Sequence, residues 1–79
     1  MPIIAYVLVE TTPGKAKFVA EEASKIEGVK TAHAVMGRFD VILLVESEDT
    51  KSLSDLVLSK IHAIDGVLKT QTAVVFMSK

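Results

Sequence analysis

Four consecutive residues, Gly37-Arg38-Phe39-Asp40, hold the most specific polar chemistry in this chain. They break two β-rich runs, Val29 to Met36 and Val41 to Glu46, and only Gly37 among them tolerates a positive φ. A tight turn of this kind exposes successive backbone N–H groups, which can hold a carboxylate, while the adjacent Asp40 carboxylate can hold an ammonium. The same residues also make a turn for its own sake, with glycine supplying the backbone angle and aspartate capping the bend. The two roles are compatible. Thr70 and Thr72, two positions apart on a strand-like run, present hydroxyls to one face, although threonine is also a ready strand former. His33 has no second His, no Cys and no clustered carboxylate at metal-ligand spacing, and reads as a strand residue near an interface. His62 lies off the apolar stripe of its helix and reads as solvated. No nucleophile–base–acid arrangement and no phosphate-binding glycine loop is present, so no cofactor is implied.

The elements that must carry these residues follow from periodicity. Ile3 to Val9 is an apolar run that ends at Thr11-Thr12-Pro13-Gly14. Thr12 as N-cap and Pro13 at the first helical position predict a helix there. Ala16, Val19, Ala20, Ala23 and Ile26 form its buried stripe, Gly28 its end, and Phe18 points away from that stripe. After the central hairpin, Ser47-Glu48-Asp49-Thr50 starts a second helix. Its stripe is Leu53, Leu56, Val57, Ile61 and Ile64, with Lys60 falling inside it, and Gly66 closes it before a strand from Val67 to Met77.

The two halves repeat. Ile26-Glu27-Gly28-Val29 answers to Ile64-Asp65-Gly66-Val67, and Val7-Leu8-Val9-Glu10 to Leu43-Leu44-Val45-Glu46. Each half is strand–helix–strand, so residues 1–79 read as a single α+β domain, ferredoxin-like βαββαβ. The expected four-stranded antiparallel sheet has the order 4-1-3-2, with two helices on one face. The order places the first and third strands at the centre, and both are apolar on both faces. Helices cover one face only. About six apolar side chains then face outward, worth on the order of 10 kcal/mol if buried. That surface predicts a homodimer formed by sheet-to-sheet packing.

Composition agrees. Hydrophobic residues make up 49% of a chain of 79, with mean hydropathy +0.41, which is rich for a small monomer. The longest apolar runs are far below the ~18 residues of a membrane span, so no membrane partner is expected. Nine basic against ten acidic residues, with Arg38 the only arginine, give no basic stripe for nucleic acid. There is no cysteine and no export signal, and the expectation is a cytoplasmic protein.

On these residues the chain resembles the effector-binding (RAM) domain of the Lrp/AsnC regulators. The carriers are Gly37-Arg38-Phe39-Asp40, Ile64-Asp65-Gly66-Val67 followed by Thr70-Gln71-Thr72, and His33 four residues before Gly37. No helix-turn-helix half precedes the first strand, so the resemblance implies a stand-alone member that does not itself bind DNA. It further implies an amino-acid sensor whose sheet-packed dimers assemble to an octamer or decamer ring. An amino acid would bind between dimers near Gly37, Arg38, Phe39 and Asp40, with Thr70, Thr72 and His33 lining the pocket. Transcription or metabolism would be modulated through partner proteins, including hetero-assembly with full-length regulators. The competing classes are an ACT-like domain, a purely structural assembly module, and a small ferredoxin-like dimeric enzyme. The glycine lies in the hairpin rather than at the first strand-to-helix turn, which favours the RAM resemblance over ACT. The aliphatic, alanine-rich interior stripes speak against an enzyme.

Overall fold

The computed structural model of the protein describes residues 2–78. Its elements are β1 (Ile3–Thr11), α1 (Ala16–Ser24), β2 (Val29–Ala34), β3 (Val41–Ser47), α2 (Thr50–Asp55), which runs on into a π-helical segment (Leu56–Ile61), and β4 (Val67–Val74). The strands form one antiparallel sheet in the order β2-β3-β1-β4, the 4-1-3-2 order expected from the repeat.

The central pair sets the two faces. Ala5, Val7 and Val9 stand opposite Val45, Leu43 and Val41, and all six are fully buried. Val19 and Ala23 of α1 close over them, as do Leu53, Leu56, Val57 and Ile61 from the second helical arm. The alternate residues Ile4, Tyr6, Leu8, Ile42 and Leu44 therefore lie on the other face. There Tyr6 stays 46% and Ile4 43% exposed, because no helix covers them.

Both glycine-closed turns of the repeat have the same geometry. Val29 N–H donates to Ile26 C=O at 3.1 Å and Val67 N–H to Ile64 C=O at 3.2 Å, with φ of +99° at Gly28 and +101° at Gly66. Each glycine carbonyl then accepts from a central strand end, Gly28 from Glu46 N–H and Gly66 from Thr12 N–H. A Cβ at Gly66 would lie 2.9 Å from Lys15 Cβ, close to the backbone and unable to swing away. Gly66→Ala is therefore expected to lower stability by about 1–3 kcal/mol, read in urea as a lower Cm at unchanged m.

The helix ends depart from expectation. Thr12 and Pro13 do not start α1. Lys15 N–H donates to Thr12 C=O at 3.1 Å with Gly14 at φ +83°, so Thr12-Pro13-Gly14-Lys15 forms a turn with proline second and glycine third. That is the type II pattern, and it outcompetes helix initiation at Pro13. The helix begins at Ala16 without a side-chain cap and ends at Ser24, four residues short of Gly28. Asp49 does cap α2, accepting from Ser52 N–H at 2.8 Å, which holds its carboxyl below the usual range. Lys60, expected inside the apolar stripe, is exposed. The π-helical turn, closed by His62 N–H on Val57 C=O, adds a residue per turn and rotates Lys60 away from the core. Strand β2 ends at Ala34 rather than Met36, and β4 at Val74 rather than Met77.

Candidate functional site

The hairpin between β2 and β3 closes over the four-residue loop Met36–Phe39, with Val35 N–H donating to Asp40 C=O at 2.9 Å. Asp40 is the hub of this corner. Its N–H donates to Val9 C=O at 2.9 Å, and its Oδ2 accepts from Thr11 N–H at 2.9 Å. A carboxylate 29 positions from Thr11 thus ties the hairpin tip to the end of β1. Among the described residues one carboxylate oxygen is engaged by a hydrogen bond and the other is not.

Gly37 has φ +152°, and a Cβ there would meet nothing within 4 Å. Arg38 is exposed, its guanidinium 5.8 Å from the centre of the half-buried Phe39 ring. Among the described residues no hydrogen bond reaches the amides of Gly37, Arg38 or Phe39. Free amides, a guanidinium and a carboxylate oxygen at one corner suit a small molecule bearing both charges.

The remaining expected residues lie elsewhere on the chain. Thr70 and Thr72 stand opposite Val9 and Val7, so they share the helix-covered face at the outer edge of β4. The row Ala34, Val41, Val9, Thr70 crosses the sheet, which puts Thr70 two strand spacings, roughly 10 Å, from Val41. His33 stands opposite Ile42 and faces the other, uncovered side. One chain therefore brings Gly37, Arg38, Phe39 and Asp40 together, and leaves Thr70, Thr72 and His33 outside that cluster.

His62, read from the sequence as solvated, has a polar partner. It is exposed, yet its Nε2 lies 2.8 Å from Thr70 Oγ1, joining the end of the π-helical segment to the edge strand. The pair links two elements, and nothing in the local pattern around either residue announces it. Two concavities lie away from the hairpin tip. One of about 550 Å³ lies at the far end of the β2–β3 hairpin, between Gly28, Glu46, Ser52 and Lys60. There Lys30 pairs with Glu46 at 3.8 Å. The other is a groove of about 610 Å³ on the uncovered face, floored by Ile4, Tyr6, Leu44 and Ala73. None of the described residues forms a three-ligand cluster of His, Cys, Asp or Glu.

Residues 4–79 match the Lrp/AsnC ligand binding domain. An uncharacterised HTH-type transcriptional regulator of Pyrococcus horikoshii is 33% identical over 72 residues, 91% of this chain and 46% of the relative. The chain spans about half the length of the curated relatives it matches. Among solved structures, a Thermus thermophilus protein superposes with TM-score 0.91 at 27% identity, covering 98% of this chain and 96% of its own. A Neisseria meningitidis transcriptional regulator, solved as a complex with L-Met, superposes with TM-score 0.84 at 23% identity. It shares the fold over 95% of this chain and 50% of its own.

Proposed function

The chain belongs to the Lrp/AsnC ligand-binding domain family, and from that premise we propose that it is an amino-acid-sensing module acting through assembly. The observation that carries this reading is the family match over residues 4–79. The free corner at Gly37, Arg38, Phe39 and Asp40 supports it, since amides and Arg38 suit a carboxylate and the second Asp40 oxygen suits an ammonium. The L-Met held by the Neisseria regulator is a molecule of this class.

Thr70, Thr72 and His33 do not reach that corner within one chain, and on this reading a second subunit supplies them. Sheet-packed dimers meeting in an octamer or decamer ring would bring a neighbour's edge strand to the hairpin tip. The effector then shifts the assembly equilibrium by its differential affinity for the assembled state. Regulation passes to partners, among them full-length regulators of the family. With a net charge of −1 and no basic stripe, this chain contributes no DNA contact of its own. The curated relatives carry the names of transcriptional regulators, which supports regulation rather than catalysis.

One observation favours a second reading. The Asp40 bond to Thr11 N–H makes the hairpin tip a brace, as in an assembly module with no effector. Thermal denaturation against each of the twenty amino acids separates the two. An effector at 100 times its Kd stabilises the fold by about 2.7 kcal/mol, a rise in midpoint of roughly 10 °C or more for a domain this size. A flat response to all twenty overturns the sensor.

A further inference from the structure

Past β4, exposed apolar side chains lie beside an apolar groove. Val75 N–H donates to Ile4 C=O at 2.8 Å, so pairing with β1 continues one residue past β4. Beyond it no backbone hydrogen bond holds residues 76–78, among the described residues. Phe76 is nevertheless 95% exposed and Met77 66%. Both stand at the wall of the groove floored by Ile4, Tyr6, Leu44 and Ala73, and neither fills it. A nearly bare phenylalanine beside an empty apolar groove has an unspent contact on each side.

We infer that Phe76 to Ser78 is an arm that, across the two-fold axis of a sheet-paired dimer, lays Phe76 into this groove of a second copy. Two considerations select a second copy. In an isologous pair the same patch serves both partners, so a protruding side chain and a groove on one face satisfy each other twice. The area points the same way. Four strands about 4.8 Å apart and some six residues long make a face of roughly 400 Å² in projection. A stable pair buries about 800 Å² per partner. A phenylalanine adds roughly 150–250 Å² of its own to each partner's contribution, while the groove floor it meets is already part of that face. The arm brings a marginal sheet contact toward the size of a stable one.

This inference rests on the sheet pairing proposed above, and the test keeps the two apart. The dimer Kd is measured by sedimentation for the wild-type chain and for a Phe76→Ser, Met77→Ser double variant, with far-UV circular dichroism as the check on folding. These side chains are exposed in the single chain, so the variant keeps its fold. A dimer weakened on the order of 30-fold or more is the expected result. In parallel, Ser78→Cys gives the otherwise cysteine-free chain one attachment point for a nitroxide. Labelled chains mixed with isotope-enriched, unlabelled ones should broaden the groove amides of the enriched copy. A wild-type dimer whose Kd stays within about threefold in the variant overturns the arm and leaves the sheet pairing intact, and groove amides that remain sharp overturn both. A wild-type chain that stays monomeric at micromolar concentration overturns both.

Discussion

Leu44→Glu is expected to convert the protein into a folded monomer. Leu44 stands opposite Tyr6 at the centre of the uncovered face, flanked by Ile4, Leu8 and Ile42. In the isolated chain this position is only half-buried, so a glutamate there keeps its carboxylate in water and costs the fold little. In a sheet-to-sheet pair, two-fold symmetry buries the new carboxylate from both copies among aliphatic side chains. A charge removed from water without a partner carries a penalty of several kcal/mol, and here two are removed at once. Even about 2 kcal/mol each raises the dimer Kd by roughly 10³-fold. Light scattering at micromolar concentration reads the mass, and far-UV circular dichroism confirms the fold. An unchanged dimer would mean that copies associate through some other surface, with the helix face around Phe18 the next to test.

What the chain disclosed in advance was what its periodicity controls. Val41 to Val45 and Ile3 to Val9 are apolar at every position, and only the two inner strands of the sheet tolerate that. The spacing of Val19 and Ala23, and of Leu53, Leu56, Val57 and Ile61, fixed which side of each helix met them. The internal repeat went further than element type. Gly28 and Gly66 share a backbone angle and a hydrogen-bond pattern because the same four-residue turn ends both helical arms.

The features hidden in the sequence depend on competition or on distance. Thr12-Pro13 reads as a helix start by local preference, but Gly14 next to Pro13 makes a tighter turn the better solution. Lys60 fits an ideal helix badly, and the chain resolved the conflict by widening one turn rather than by burying a cation. The contacts of Asp40 with Thr11 and of His62 with Thr70 join residues on separate elements, and their partners emerge only once the sheet has formed. The candidate site was legible as a cluster at Gly37 to Asp40. The placement of Thr70 and Thr72 on one face and His33 on the other follows from pairing register, which no single strand encodes.

Two substitutions at Asp40 are expected to part company. Asp40→Asn keeps a carbonyl oxygen where Oδ2 now accepts from Thr11 N–H, so the brace to β1 survives. It removes the negative charge, and with it the partner of a ligand ammonium. A hydrogen bond to a charged group is worth about 1.5–3 kcal/mol, so amino-acid affinity should fall roughly 10- to 100-fold while stability changes by no more than ~0.5 kcal/mol. Asp40→Ala loses both functions. The N–H of the buried Thr11 is left without its acceptor, at a cost of about 1–2 kcal/mol, and affinity drops as in the asparagine variant. Isothermal calorimetry beside urea unfolding of the three proteins reads both quantities. Binding lost in both variants with stability lost only in the alanine one would make Asp40 an effector ligand that also braces its turn. An asparagine variant that binds as tightly as the wild type would reduce Asp40 to the brace alone. The ammonium would then have to be held elsewhere, and Thr70 and Thr72, on the edge strand that a neighbouring subunit would present, become the positions to substitute next.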